Sequence, residues 1–231
     1  MITGGMDSRI VACVLKDVLE AGAFKNKKVI GLTWGYENSR DVVYAKRICR
    51  LFNWDWEHLS VDVEQMWMNI RICMENGCEY TPIHLHAMPI IAERKDIDCV
   101  LAGSFGDSVG RAEYSGTKVS NLVDIRNAIK NPYNILRSDF NVLSKSNTNT
   151  DVDGYHKQFP QSKPYMLYEQ DQQLHYMRKM LNSCMSVINK KIPLYQMFSS
   201  PAIFGYMWSL DPVLRTNKVY EIILSQKTKN Y

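Results

Sequence analysis

The sequence predicts an α/β fold in which a doubly wound parallel sheet is covered by helices on both faces. Segments with apolar residues at helical spacing alternate with short runs of β-type residues along the first half of the chain. A glycine-rich loop stands directly before the first helical segment, where doubly wound sheets place a ligand-binding turn. The strand-like runs cover residues 29–34, 56–61 and 99–103.

Each helix of the first half is predicted from the spacing of its apolar residues. In the segment 9–21 these residues recur at helical spacing, and Gly22 follows as a stop signal. The segment 39–52 is amphipathic, with Val42, Ile48 and similar residues on one face and basic side chains opposite. Two further helices are predicted over 62–74 and 84–95.

The strand that should precede the glycine-rich loop is missing. A loop at the carboxyl end of a central strand needs that strand in front of it, and only Met1 and Ile2 are there. We therefore expect an N-terminally truncated fragment, or a start codon assigned too late. A longer reading frame should supply about five apolar residues before Met1.

The alternation of strands and helices stops after Gly110. Residues 141–164 are mostly polar, with a run of Ser, Asn and Thr, and predict a mobile loop. Within it, residues 149–154 imitate the start of an EF-hand, but Pro160 stands where a bidentate Glu is needed, so calcium binding is rejected. Further helices are predicted over 119–136, 165–189, 197–210 and 217–225. The predicted organisation is an α/β core over 1–140, the loop over 141–164 and a helical C-terminal part over 165–231.

The composition is that of a soluble globular protein. Of the 231 residues, 45% are hydrophobic and 23% charged, which suits one domain, with or without a helical appendage. The net charge of +4 is mild and the lysine-rich pieces are scattered, so it suits an anionic ligand such as ATP and no nucleic acid is expected. No segment has the length to span a membrane and no signal peptide is visible, so we expect a cytoplasmic protein.

The six cysteines show no disulfide or metal framework. Cys13 and Cys49 fall on helical apolar positions and Cys99 on a strand-like one, which predicts mostly buried thiols. A C-x4-C pair followed by H-x-H is poor spacing for structural zinc, so that interpretation is disfavoured. The residues of this pattern are Cys73, Cys78, His84 and His86.

The glycine-rich loop, residues 3–8, reads T-G-G-M-D-S. Two glycines let its N–H groups converge on one anion, and a helix starting near Ser8 adds its unpaired donors and the positive end of its dipole. The carboxylate of Asp7 fits such a loop if a divalent metal lies between it and the phosphates. The alternative is a glycine turn in which Asp7 or Ser8 is an ordinary helix N-cap.

This loop resembles the SGGxDS loop of the PP-loop ATP pyrophosphatases, with Thr3 in place of the usual Ser. These enzymes cleave ATP between its α- and β-phosphates, and no Walker G-x-x-x-x-G-K-[ST] stretch is present. The resemblance implies a PP-loop type of doubly wound sheet, with residues 1–140 as the ATP-binding core. It also implies a pyrophosphate cradle made by Thr3, Gly4, Gly5 and Ser8.

A second motif follows the strand-like run 99–103. The segment 102–110, A-G-S-F-G-D-S-V-G, resembles the S-G-E-G-x-D-E-x-F-G-G-Y stretch of the asparagine synthetase synthase domain. Asp107 matches the metal-binding Asp of that family. The resemblance implies that Asp7 and Asp107 hold Mg²⁺ and that Thr33 and Gly103 border the adenine and ribose of ATP.

Two departures from this family concern catalysis. Ser104 replaces a Glu of the motif, and Glu221 aligns with the family's catalytic Lys. Lys218, one helical turn earlier, is the candidate substitute, since its ammonium could reach a phosphate or acyl-adenylate oxygen. The family's glutaminase domain, which uses an N-terminal Cys, is absent, so free ammonia, a substrate amine, or an upstream glutaminase domain or subunit must supply nitrogen.

The resemblance implies an ATP-dependent carbon–nitrogen ligase that adenylates a small-molecule carboxylate with Mg-ATP before amine attack. Two alternatives remain open. A PP-loop enzyme of tRNA modification would use a C-x-x-C pair or an exposed catalytic Cys. A catalytically impaired nucleotide-binding remnant acting through a partner would fit Ser104 and Glu221.

Overall fold

The computed structural model describes residues 1–24, 27–78, 80–128, 131 and 133–227. Contacts divide the chain into two compact units, Met1–Ala112 together with Met180–Tyr231, and Glu113–Lys179. The helices are α1 (Met6–Glu20), α2 (Arg40–Phe52), α3 (Val63–Glu75), α4 (Met88–Ala92), α5 (Ser138–Gln158), α6 (Pro164–Asp171), α7 (Asn182–Asn189), α8 (Pro201–Ser209) and α9 (Asn217–Lys227). The strands are β1 (Ile30–Trp34), β2 (Asp55–Leu59), β3 (Val100–Ala102), β4 (Glu113–Tyr114), β5 (Thr117–Lys118) and β6 (Leu194–Gln196). Single turns of 3₁₀-helix cover Pro82–Leu85, Val119–Asn121, Ile125–Ala128 and Met197–Ser199, and π-helical segments cover Gly106–Gly110 and Gln172–Leu181.

The first unit is a mixed α/β structure with two small parallel sheets. Strand β1 pairs with β2 in parallel from Ile30 opposite Asp55 to Trp34 opposite Leu59. Strand β3 pairs with β6 in parallel from Val100 opposite Leu194. The prediction of an α/β fold is therefore confirmed at the level of fold class.

Met1 and Ile2 lie between these two parallel pairs. The Ile2 N–H donates to the Leu32 carbonyl of β1 at 3.0 Å, and the Met1 nitrogen donates to the Leu101 carbonyl of β3 at 2.7 Å. The Thr33 hydroxyl donates to the Ile2 carbonyl at 2.8 Å. These bonds fix the residues that lead into the glycine-rich loop between β1 and β3.

Helices cover both sides of β1. Because alternate residues of a strand face opposite ways, Gly31 and Leu32 contact different helices. On one side Gly31 lies against Cys49 of α2, beside Ile2 and Ile48. On the other side Leu32 packs in a buried cluster with residues of β2, the turn before α4, α4 itself and α7. That cluster includes Leu59, Leu85, Met88, Ile91 and Ile188.

The predicted helices of the first half are confirmed where the apolar spacing is regular. They correspond to α1, α2 and α3, and the predicted strands to β1, β2 and β3. The helix predicted over 84–95 is only partly formed, since α4 holds five residues. His86, with φ of 46°, breaks the chain out of helical geometry in front of Pro89.

The second unit, Glu113–Lys179, departs further from the predictions. The predicted mobile loop over 141–164 is wrong, because most of it belongs to α5. This helix buries only Val152, so it has no apolar stripe to reveal it. Its polar residues hydrogen-bond within the helix instead, with the Thr148 and Thr150 hydroxyls donating to the carbonyls of Ser144 and Ser146.

The helix predicted over 119–136 is also wrong for the described residues in that range, which hold only two turns of 3₁₀-helix. Asp124 takes hydrogen bonds from the Arg126 backbone N–H and guanidinium, a local pattern that competes with helix formation. The remaining predicted helices are confirmed by the helical run of α6, a π-helical segment and α7, and by α8 and α9. No helix among the described residues combines the length and apolar character needed to cross a bilayer.

We expect Gly31→Ala to destabilise the protein by about 1–3 kcal/mol, because the added methyl would overlap the buried Cys49 Sγ and lie 3.1 Å from Ile2 Cγ2. Urea unfolding measures the loss. The matched control is Gly154→Ala in α5, where an added methyl meets nothing within 4 Å. That change should be neutral or stabilise by up to about 1 kcal/mol. An unchanged midpoint for Gly31→Ala would contradict the packing of α2 on β1.

Candidate functional site

The glycine-rich loop is closed by its own hydroxyl groups. Ser8 Oγ lies 3.1 Å from the carbonyl oxygens of both Thr3 and Gly5, which share its one hydroxyl proton, and it accepts from the Thr3 N–H at 3.1 Å. The Gly5 N–H donates to Thr3 Oγ1 at 3.1 Å. Gly5 is the N-cap of α1 and no side chain caps this end. The alternative in which Asp7 or Ser8 caps the helix is therefore wrong, and the first N–H groups of α1 have no side-chain cap.

Asp7 lies in the first turn of α1, and only one of its two carboxylate oxygens accepts a hydrogen bond in the described part of the chain. Oδ2 accepts from Arg111 Nη2 at 3.0 Å. Oδ1 is buried and has no hydrogen-bond partner in the described part of the chain. Burial raises the pKa of Asp7 to about 6, the Arg111 charge opposes this rise, and the charge of Asp107 adds to it. A buried carboxylate oxygen without a donor is a fitting ligand for a cation.

The segment after β3 packs directly on this loop. A methyl group at Gly103 would lie 2.6 Å from the Ser8 nitrogen, and one at Gly106 would lie 2.5 Å from the Asp7 carboxyl carbon. Both positions therefore require glycine. The turn between them places Phe105 at φ of 69° and starts the π-helical segment that carries Asp107.

Asp107 is held near Asp7 by this packing. Its Oδ1 accepts from the Ser108 N–H at 2.9 Å, and its charge is among the causes of the raised pKa of Asp7. The structure thus brings together the predicted loop, Gly103 and both predicted metal-binding carboxylates. Ser104 Oγ lies 3.8 Å from the Met185 sulfur.

Mg²⁺ is usually bound through one or two carboxylates together with substrate phosphates and water. Asp7 and Asp107 fit that description. Within the described ranges, no three His, Cys, Asp or Glu side chains are arranged to hold a metal ion, the zinc pattern with Cys73 and His84 included. A metal held by Asp7 and Asp107 would therefore complete its coordination with other oxygen ligands, such as substrate phosphates and water.

Sequence reasoning missed Arg111 and Tyr220. Arg111 pairs with Asp7, its guanidinium lies 5.5 Å from the ring centroid of Tyr220, and its Nη1 donates to Asn217 Oδ1 at 3.4 Å. The Tyr220 hydroxyl donates to the Gly106 carbonyl at 2.8 Å. Burial raises the pKa of Tyr220 far above its usual range. Both residues join the site through contacts between distant parts of the sequence.

The other predicted site residues lie less directly at the loop. Thr33 is fully buried with its hydroxyl on Ile2, so its side chain supports the loop and does not reach the surface. Lys218 and Glu221 are exposed on α9. Lys218 follows Asn217, which contacts Arg111, so it lies at the margin of the site.

The cysteine predictions are mixed. Cys13, Cys49, Cys73 and Cys184 are buried thiols. Cys99, predicted to be buried, is exposed because it precedes β3 instead of lying inside it. Cys78 is also exposed.

The family model of asparagine synthase matches residues 1–182, which include the glycine-rich loop, Gly103 and Asp107. The chain belongs to the asparagine synthase family. Members of this family are ATP-dependent ligases that form amides. Among curated proteins, none matches the sequence. The asparagine synthase match ends before α8 and α9, so Lys218 and Glu221 lie outside it.

We expect Asp7→Asn to flatten the pH dependence of stability. Because the pKa of Asp7 rises from 3.8 to about 6, the folded protein holds an extra proton between these values. The stability that this proton provides is complete below about pH 4 and is lost as the pH rises through about 6. Wild-type stability should fall across that window by up to about 1.4 kcal/mol per pH unit from this group.

Urea unfolding at several pH values in buffer with EDTA measures this slope. The wild-type protein should show the decline and Asp7→Asn should lack its Asp7 component. Parallel curves for the two proteins would show that the Asp7 carboxylate is not buried as described.

Proposed function

We propose that the chain is an asparagine-synthase-like, AMP-forming ligase domain. It adenylates a small-molecule carboxylate with Mg-ATP, releases pyrophosphate, and an amine then displaces AMP to form an amide. The observation that carries this proposal is the packing of Gly103 and Gly106 on the glycine-rich loop, which holds Asp7 and Asp107 together beside the uncapped start of α1. Membership of the asparagine synthase family supports it.

The proposed fold is the PP-loop type of doubly wound sheet. Met1 hydrogen-bonds to β3 and Ile2 hydrogen-bonds to β1. These bonds support the proposed fold, because the two residues occupy the place of a central strand between two parallel pairs. A loop at the carboxyl end of that position lies where doubly wound sheets bind nucleotides.

The chain's own residues divide into two roles in the proposed reaction. Thr3, Gly4, Gly5 and Ser8 would shape a cradle for the β- and γ-phosphates, helped by the positive end of the α1 dipole. Gly103 would border the nucleotide on the other side of the loop. Asp7 and Asp107 would hold Mg²⁺, which supplies charge neutralisation for the phosphates.

The first step is the attack of a carboxylate oxygen on the α-phosphorus of ATP. The bond from the α-phosphorus to the bridging oxygen breaks, and the electron pair leaves with pyrophosphate, which the loop retains. The bound Mg²⁺ and the N–H donors at the start of α1 would already surround the leaving pyrophosphate. They lower the barrier because they need no rearrangement during the reaction. The products of this step are an acyl-adenylate and pyrophosphate.

In the second step an amine attacks the acyl carbon, AMP departs with the electron pair of the broken acyl–oxygen bond, and the nitrogen releases a proton to give the amide. We propose free ammonia, an amine on the substrate, or ammonia from a glutaminase domain or subunit as the nitrogen source. Lys218 is proposed to place its ammonium over the acyl-adenylate from the first turn of α9, where its exposed side chain has room to move.

Exchange of [³²P]pyrophosphate into ATP tests the proposal. With Mg²⁺ and a panel of carboxylic acids, the unaltered protein should show exchange that depends on one class of carboxylate. Asp7→Asn should lower the exchange rate at least about 100-fold, because Mg²⁺ would lose a carboxylate ligand and the leaving group would lose the charge that the metal neutralises. Lys218→Gln should leave exchange closer to wild type than Asp7→Asn does and should slow amide formation.

The matched control is Asp139→Asn, which makes the same chemical change on the exposed surface of α5 in the other unit. It should leave the exchange rate unchanged. ATP binding without exchange under any condition would contradict the proposal and favour a nucleotide-binding remnant. ATP-dependent sulfuration of tRNA would contradict it in favour of RNA modification.

A further inference from the structure

Arg111 places a positive charge on the glycine-rich loop. Its Nη2 donates to Asp7 Oδ2 at 3.0 Å, and its side chain is 17% exposed. Pairs this shielded are stronger than surface ion pairs, because solvent screens them less. The guanidinium therefore lies on the same carboxylate that is proposed to face Mg²⁺ and the phosphates.

Arg111 has hydrogen-bonding capacity to spare. Its Nε is buried and finds no acceptor in the described part of the chain. The bond from Nη1 to Asn217 is long, at 3.4 Å. A guanidinium carries five N–H donors in a planar fork that matches phosphate oxygens, and it cannot lose its charge. A pyrophosphate oxygen could take the donors that Asp7 leaves unused.

The surroundings of Arg111 fix the plane and position of its guanidinium. The Tyr220 ring lies beneath it, 5.5 Å from the guanidinium carbon to the ring centroid, and Tyr220 is itself anchored by its hydrogen bond to the Gly106 carbonyl. Gly110 makes this possible, because any side chain there would overlap the Tyr220 hydroxyl. The guanidinium of Arg111 is thus held by two separate segments, the π-helical segment Gly106–Gly110 and α9.

A cation at this position would offset the negative charges that gather around the loop. Asp7 and Asp107 are both acidic, and a triphosphate adds further negative charge when it binds. Glu221 stands where the resemblance to the asparagine synthetase family would place a lysine, and Lys218 is exposed on the surface. Arg111 supplies a partly buried positive charge from another element.

We infer that Arg111 is a phosphate-binding residue that contacts the pyrophosphate portion of ATP at the glycine-rich loop. This inference rests on the proposed function and adds the residue that stabilises the leaving group. Arg111 and Asp7 share a hydrogen bond, and the remaining N–H groups of Arg111 face the phosphates.

Equilibrium binding of pyrophosphate, measured by calorimetry in EDTA and again with Mg²⁺, tests the inference. Arg111→Gln should weaken pyrophosphate binding at least about tenfold, the effect expected for a lost hydrogen bond between charged groups. Arg111→Lys should bind with intermediate affinity, because the charge remains and the fork is lost. Arg94→Gln removes an arginine paired with Glu57 and Asp96 elsewhere in the same unit and should leave affinity unchanged.

A second comparison separates direct contact from neutralisation of Asp7. In an Asp7→Asn background, Arg111→Gln should still weaken pyrophosphate binding about tenfold if Arg111 contacts the phosphates. Equal affinity of the two proteins in that background, or of wild type and Arg111→Gln, would overturn the inference while the proposed function stands. Failure of the unaltered protein to bind ATP or pyrophosphate would overturn both.

A measurement on the unaltered protein covers the case in which Arg111→Gln does not fold. In protein labelled with ¹⁵N-arginine, the Nε–H signal of Arg111, identified by its loss in Arg111→Lys, should shift as pyrophosphate is added. A signal that stays in place at saturating pyrophosphate would overturn the inference.

Discussion

The approach of the chain after β3 to the first turn of α1 is the constraint on which the site depends. Gly103 and Gly106 touch Ser8 and Asp7 at distances that leave no space for a side chain. This contact sets where Asp107 lies relative to Asp7, and it presents the Gly106 carbonyl to Tyr220. If either glycine carried a methyl group, the two segments would separate and the carboxylates with them.

This contact also determines which charged groups lie together at the loop. Two carboxylates are gathered beside the start of a helix, and the burial that brings them together raises the pKa of Asp7. Arg111 offsets part of the cost of burying the Asp7 carboxylate by donating one hydrogen bond to it. The Nε of Arg111 has no acceptor among the described residues and is available to a ligand. Such an arrangement is only partly satisfied by itself, and a metal ion with phosphates would complete it.

The sequence was informative wherever an element carries regular apolar spacing or a glycine motif. α1 and β1 were found for the first reason, and the closeness of the loop to Asp107 was expected from the second. α5 was missed because it buries only Val152, which leaves no periodic signal. Arg111 and Tyr220 were missed because their contacts join segments far apart in the sequence, which no local pattern encodes.

The central claim, that the loop and its two carboxylates bind the phosphates of ATP, is tested most directly by a crystal structure with Mg²⁺ and α,β-methylene-ATP, which cannot be cleaved at the bond in question. We predict the β- and γ-phosphates at the start of α1, within about 3.2 Å of loop N–H groups and of the Arg111 guanidinium. We also predict Mg²⁺ between these phosphates and the carboxylates of Asp7 and Asp107. Phosphates bound away from the loop, or a loop that stays free at saturating nucleotide, would contradict the claim.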